Sequence, residues 1–402
     1  MDATPPSPAA PTTWPDYEPR LGWFHRYPAR FAAPVVGQLL SDLVERLGGR
    51  PARLLDPYAG TGATMAAARQ AGIPSEGVEL GRLGVLISTV RLAPPRDLEA
   101  ALDQAEGLAR LQPAVDGRHP HRAELERWMG PRNVDQLVAV LTTIESIPDS
   151  ATRAFCELTL SAALRPASVW LAGSIKPQVD PSRSPRPLAN ELARCARTIA
   201  RDVRCETLGA SVPARVVQGN AARLPFEDGA FDAVITSPPY FTTYDYIDVQ
   251  RLSYLAFRWP NPRDDQLGRY SRIPSDGVCF IPPNTLADWY ELYGREKTAK
   301  GRAIRDYAQR LALHLSEVHR VTRPGAAIGV AMANSVRAGR TFDLVATLGE
   351  LMSAAGFTSI EIRNRSARGR RILPLGRNVT TGRFADVPTG GTVERLVYAT
   401  RL

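Results

Sequence analysis

The sequence predicts an α/β protein, a doubly wound and mostly parallel sheet carrying a helical insertion. Three observations predict it. "ARLLDPYAGTGATMAAARQAG" takes an apolar run, Leu54 and Leu55, into Asp56, then through a loop containing Gly60 and Gly62 into an alanine-rich helix. Further short β-branched runs, each ending in a loop, alternate with helical periodicity, as parallel strands with crossover helices require. Residues 91–210 break that alternation and are mainly helical in pattern.

The elements follow in chain order. Residues 1–20, "MDATPPSPAAPTTWPDYEPR", lack the basic start and continuous apolar stretch of a signal peptide, and their proline and threonine content predicts a disordered lead-in. A cytoplasmic protein is expected. After the glycine loop, "IPSEGVELG" reads as a second strand ending at Glu79. The insertion holds helices at "VDQLVAVLTTIESI" and "ATRAFCELTLSAAL", then the proline-rich basic loop "GSIKPQVDPSRSPRP". "PARVVQGNAARLPF", "GAFDAVITSPPY" and "RPGAAIGVAMANS" give three more strands; the helix "TFDLVATLGELMSAAG" precedes two last ones in "FTSIEI" and "GTVERLVYATRL". Residues 21–90 and 211–402 thus form the catalytic core, 91–210 the insertion, and 260–300 a long surface excursion within the core.

The totals bound the function. The 402 residues are 44% hydrophobic and 23% charged, and no apolar run approaches the roughly 20 residues that a membrane span needs. The formal charge of +9 is carried mainly by arginine, which suits phosphate contact. Cys156, Cys195, Cys205 and Cys279 include no Cys-x-x-Cys pair and no cysteine after a proline; His25, His119, His121, His314 and His319 form no triad or metal cluster. No metal site is expected.

In open parallel sheets ligands bind outside the carboxyl ends of the strands, where the loop of residues 56–62 would lie. Its glycines permit close backbone approach, and Glu79 could accept hydrogen bonds from ribose hydroxyls. The spacing D-x-x-x-G-x-G is not that of a dinucleotide loop, and Asp56 would repel a pyrophosphate. A carboxylate there suits a cationic cofactor and is compatible with the amino-acid end of S-adenosylmethionine. An ordinary strand-to-helix turn is the alternative for the loop alone.

"TSPPY" carries more. Proline fixes φ and restricts the preceding residue, so Ser237, Pro238 and Pro239 present an extended, preset backbone with its acceptors outward. The exocyclic amino nitrogen of a nucleobase is a poor nucleophile because its lone pair is delocalised. Hydrogen bonds from it to the Ser237 side chain and the Pro238 carbonyl would aim that lone pair at a methyl donor. Tyr240 would stack on a base flipped from the duplex, with Phe241, Tyr244 and Tyr246 lining the pocket or filling the gap behind it.

Together, "DPYAGTGAT", "TSPPY" and "HRYPARF" (residues 25–31) resemble the motifs of the DNA amino-methyltransferases, over roughly residues 22–90 and 211–362. The resemblance implies a Rossmann-like, seven-stranded sheet carrying S-adenosylmethionine. Asp56, Tyr58, Gly60 and Gly62 would surround its methionine part, with Pro28, Arg30 and Phe31 at the same end. Glu79 would take the ribose. Asn220 and Ala221 fall where the family usually places an acidic residue beside the adenine, so asparagine is a departure. Ser237, Pro238, Pro239 and Tyr240 would be catalytic. Serine opening that motif is usual for enzymes methylating cytosine N4, aspartate for adenine N6, so cytosine in double-stranded DNA is the expected target. Adenine N6, an RNA base, and a regulator that keeps the fold without catalysis are the alternatives.

The insertion and the excursion would supply target recognition. Candidate backbone contacts are Lys176, Arg183 and Arg186, then Arg269, Tyr270 and Arg272, and the basic run "RNRSARGRR". A cognate restriction enzyme is the further partner the resemblance raises.

Overall fold

In the structure, a computed structural model, the described residues are 25, 27, 31–114, 117–174, 176–206, 212–241, 247–262, 267, 281–282, 285–293, 298–337, 340–365 and 394–402. One sheet takes in β1 (Leu54–Asp56), β2 (Ser75–Glu79), β3 (Ala214–Gln218), β4 (Phe231–Thr236), β5 (Thr322–Ala333), β6 (Phe357–Asn364) and β7 (Glu394–Arg401). Its order is β3-β2-β1-β4-β5-β7-β6, the seven strands that the sequence predicts. The first five are mutually parallel, and β7 runs antiparallel to both β5 and β6. From β1 the chain steps outward through β2 and β3, then crosses back to lay β4 and β5 on the other side. Strand order therefore reverses between β1 and β4, and the loops after these two strands flank the crevice where such sheets bind ligands.

The central strands are buried along their whole length, as a sheet covered on both faces demands. Ala233 and Ile235 of β4 join Val36, Leu39 and Leu43 of α1 (Ala33–Leu47) in one core cluster. Val234, between them, packs on the opposite face with Leu311 and Leu315 of α10 (Ala299–Val321) and Leu348 of α11 (Leu344–Ala354). The period of two along the strand thus divides the core into two layers.

Helix α2 (Ala63–Gln70) follows β1, and α3 (Arg82–Leu92) follows β2. Between α3 and β3 lie α4 (Leu98–Leu108), α5 (Arg122–Glu145), α6 (Ser150–Ala167) and α7 (Leu188–Glu206). Gly130 breaks α5 with φ +74°, ahead of Pro131. These helices share one core with α3 and with α8 (Arg251–Ala256): Ile87 and Leu252 lie in the same cluster as Leu137, Phe155 and Leu192. The short α9 (Ala287–Tyr293) adds Trp289 beside α10. Among the described residues no helix is long and apolar enough to cross a membrane.

Asp232 locks the entry to β1. It is 3% exposed, and its carboxylate accepts from the Ala52 and Arg53 backbone N–H groups at 2.7 and 2.8 Å and from Arg323 at 2.6 Å. Asp232→Ala strands two N–H groups and is expected to cost about 2–4 kcal/mol, read as a lower urea midpoint with an unchanged slope.

Candidate active site

Asp56 ends β1 and is 1% exposed. Its Oδ1 accepts from the Tyr58 N–H at 3.0 Å and the Thr236 hydroxyl at 2.9 Å; its Oδ2 accepts from the Thr64 hydroxyl at 2.5 Å. Tyr58 belongs to the glycine loop, Thr64 to α2 and Thr236 to the end of β4. Asp56, expected beside the methionine part of a cofactor, has both oxygens engaged within the protein and clamps the two loops together. Burial pushes its carboxyl up to about 6, against the downward pull of these three hydrogen bonds.

The glycines of the loop are required by shape. Gly62 has φ +78°, and a Cβ there would fall 2.9 Å from Ser88 Cβ. Gly60 has φ +53°, and its N–H donates to Glu79 Oε2 at 2.9 Å. Glu79 Oε1 accepts from the Gly81 N–H at 2.7 Å, and the Tyr27 hydroxyl also donates to this carboxylate. At Gly84 a Cβ would fall 2.8 Å from the Gly60 carbonyl and 2.7 Å from Glu79 Cγ, so glycine alone allows α3 to pack this closely on the glycine loop and Glu79. Burial pushes Glu79 up to about 7; the hydrogen bonds oppose this and the nearby Asp56 adds to it.

The proline motif leaves β4 directly after Thr236. Ser237, Pro239 and Tyr240 are partly exposed and Pro238 is buried. The Tyr307 hydroxyl of α10 donates to the Pro239 carbonyl at 3.1 Å, which sequence reasoning did not find because nothing local marks this tyrosine. Tyr240 donates to Glu394 Oε1 at 3.3 Å and its ring packs on the core. Phe241 is 3% exposed and packs on Tyr307 and Trp289 with ring centroids 5.3 and 5.6 Å away. It fills the gap behind the motif instead of lining the pocket. Tyr244 and Tyr246 lie outside the described residues.

At the expected adenine end, Asn220 folds back on its own turn, its Oδ1 accepting from the Ala222 N–H at 2.9 Å. Ala221 is buried, and its backbone is hydrogen-bonded to His314. His314 is 1% exposed, its ring meets Tyr58 edge-on at 4.8 Å, and its Nδ1 has no hydrogen-bond partner. Burial holds it neutral, down to about 4. The structure thus joins Tyr58 and Ala221 through a histidine that the sequence did not single out.

Phe31 packs against the cluster of α1 and the sheet, and Pro28 and Arg30 lie outside the described residues. So do Arg269, Tyr270 and Arg272, and most of "RNRSARGRR". Lys176 is exposed, Arg183 donates to the Trp170 carbonyl at 3.1 Å, and Arg186 pairs with Glu191 at 3.4 Å. No group of three His, Cys, Asp or Glu able to hold a metal ion occurs among the described residues.

No protein-family model matches the chain, and no curated protein sequence matches it. Similar solved structures include a sarcosine dimethylglycine methyltransferase, so named provisionally, from Galdieria sulphuraria, with 9% identity and a TM-score of 0.31; the match covers 83% of this chain but only 64% of that one. The rRNA methyltransferase aviRa from Streptomyces viridochromogenes matches at 11% identity and TM-score 0.30 over 94% of this chain and 88% of its own. A TehB-like SAM-dependent methyltransferase from Corynebacterium glutamicum matches at 9% and 0.29 over 90% and 88%. Likenesses this low leave the chemistry to be argued from the site itself.

Raised carboxyls stabilise the fold when protonated. The contribution of Asp56 and Glu79 is fully present below the ordinary carboxylate range and is lost as pH rises through about 6 and about 7. Thermal midpoints of the protein without ligand should therefore fall as pH rises from the ordinary carboxylate range to about 7, and Glu79→Gln should flatten the part of that fall between about 6 and about 7 whatever its constant offset. An unchanged slope in the variant would refute the assignment.

Proposed function

We propose that the chain is an S-adenosylmethionine-dependent methyltransferase that modifies an exocyclic amino group in DNA, namely N4 of cytosine. The observation that carries this reading is the pairing of the two motif loops at the sheet's switch point: Thr236, directly before Ser237, donates to Asp56 of the glycine loop at 2.9 Å. A ligand bound over Gly60 and Gly62 would lie beside the proline motif, as transfer between neighbouring groups requires.

The residues fit the cofactor. Gly60 and Gly62 permit close backbone approach, and Glu79, which accepts from the Tyr27 hydroxyl, can exchange that donor for ribose hydroxyls. Two carboxylates at the ends of adjacent strands favour a cation between them. Bound there, S-adenosylmethionine would supply an electrophilic methyl group: as the amino nitrogen bonds the methyl carbon, the sulfur–methyl bond would break to leave S-adenosylhomocysteine, and one amino proton would pass to solvent. Ser237 Oγ and the Pro238 carbonyl accept the amino hydrogens and orient the nitrogen. Tyr307 holds the Pro239 carbonyl and fixes the direction of the loop. The net charge of +9 supports a polyanionic substrate.

Purified protein incubated with labelled S-adenosylmethionine and unmethylated genomic DNA should give N4-methylcytosine by nucleoside mass spectrometry. N6-methyladenine would replace the base, and transfer to RNA alone or to neither polymer would overturn the reading. Ser237→Ala should lower kcat by about a hundredfold or more with cofactor affinity unchanged, as removal of an aimed hydrogen-bonding group does. Tyr307→Phe acts only through the loop and should lower kcat about tenfold, again sparing cofactor affinity; an equal fall in cofactor affinity would assign it to general packing.

A further inference from the structure

The last strand of the sheet brings a carboxylate to the proline motif. Because β7 runs antiparallel to β5, its first residue, Glu394, lies opposite Ala333, the last residue of β5. The parallel strand β4 ends at the same edge of the sheet, and there the chain passes into Ser237 and Tyr240. Glu394 is 8% exposed. Its Oε1 accepts from the Tyr240 hydroxyl at 3.3 Å and its Oε2 from Arg365 at 2.5 Å, so each oxygen has a donor and a guanidinium balances the buried charge. Arg365 directly follows β6, whose Asn364 pairs with Arg395 of β7. The two charged side chains therefore stand together at one end of an antiparallel pair of strands.

Tyr240 is held in two ways. Its ring packs on the core cluster that contains Phe241 and Trp289, and its hydroxyl reaches Glu394. Packing alone would serve a phenylalanine equally well, so the hydroxyl and its acceptor are what a tyrosine adds here. A ring restrained at its far end costs less to order when a planar group stacks on it. Arg365 and Glu394 both lie beyond residue 362, outside the stretches that resemble the DNA amino-methyltransferases, and so belong to neither motif.

We infer that Glu394 is a positioning residue: it holds Tyr240 by the hydroxyl in the orientation that receives the target base, and Arg365 holds Glu394 in turn. The inference rests on the methyltransferase reading for the identity of that base and on the hydrogen bonds alone for the anchor.

Tyr240→Phe removes one oxygen and keeps the packing, Glu394→Ala removes the acceptor, and Glu394→Gln keeps an acceptor without the charge. Methylation of unmethylated genomic DNA is measured with labelled S-adenosylmethionine, and S-adenosylhomocysteine affinity by calorimetry. Tyr240→Phe and Glu394→Ala should each lower kcat/KM for DNA about tenfold, as loss of a hydrogen bond to a charged group does, with S-adenosylhomocysteine affinity unchanged. The double variant should fall no further than Glu394→Ala, and Glu394→Gln should recover most of the loss. Losses that multiply in the double variant, or an equal fall in S-adenosylhomocysteine affinity, overturn the proposal. Tyr240→Phe disturbs the fold least and carries the test where Glu394→Ala is unstable. The anchor is also read without substrate, in protein labelled with 3-fluorotyrosine, where the Tyr240 fluorine signal is the one missing from Tyr240→Phe. That signal should shift in Glu394→Ala, and an unmoved signal overturns the anchor. Absence of methyl transfer by the unsubstituted protein overturns the role in receiving the base together with the methyltransferase reading, while the fluorine signal still decides the anchor.

Discussion

The site hangs on the buried carboxylate of Asp56. A carboxylate removed from water is costly unless its lone pairs are filled, and three elements fill them: the loop backbone at Tyr58, the first turn of α2 at Thr64 and the end of β4 at Thr236. Each donor is fixed in position by the need to satisfy this one group. The glycine loop cannot shift without stranding the charge, and the proline motif begins one residue beyond the third donor. Glu79 repeats the device on the next strand, tying Gly60 to Gly81 through its two oxygens. Because Asp56 raises Glu79 further, both carboxylates gain when a cation or a set of hydroxyl donors is placed beside them.

Support from the other layer comes through one helix. Tyr307 and His314 of α10 are two turns apart, about 10 Å along the axis, and lie on the same face. The first reaches the Pro239 carbonyl after β4, the second the Ala221 backbone after β3. The same face carries Leu311, Leu315 and Val318, packed on the sheet, and the buried Arg310. The packing that buries α10 therefore also sets the height of two loops that have no regular structure of their own, a burden that backbone hydrogen bonds within the loops could not carry.

What was legible in the sequence was local. Each strand announced itself by a short apolar run ending at a turn residue, and Gly60, Gly62, Pro238 and Pro239 mark backbone conformations that few other residues adopt. The hydrogen bonds that give these loops their relation were not legible. Asp56 and Thr236 are 180 residues apart, Pro239 and Tyr307 are 68, and Tyr240 and Glu394 are 154. No periodicity or spacing encodes such pairs, because their selection depends on which strands become neighbours. The partners that Asp56 and Tyr240 find inside the protein, Thr236 and Glu394, could not be read from the motifs that contain them.

Net charge has the same weakness as a guide. Many arginines sit in ordinary ion pairs, such as Arg258 with Glu145 at 2.6 Å and Arg197 with Glu106 at 2.6 Å, and exposed pairs of this kind contribute little. Around the cavity lined by α6 and α7, Arg194 and Arg201 pair with Glu191 and Asp202 in the same way, while Arg165 and Arg183 also donate to carbonyls. His25 and Tyr27 reach both that cavity and the end of β2. His25 meets Ser161 on the cavity wall, Tyr27 donates to Glu79, and the Tyr27 N–H closes on the His25 carbonyl at 2.8 Å. The insertion is therefore tied to the end of β2 through His25 and Tyr27 as well as through the core it shares with α3.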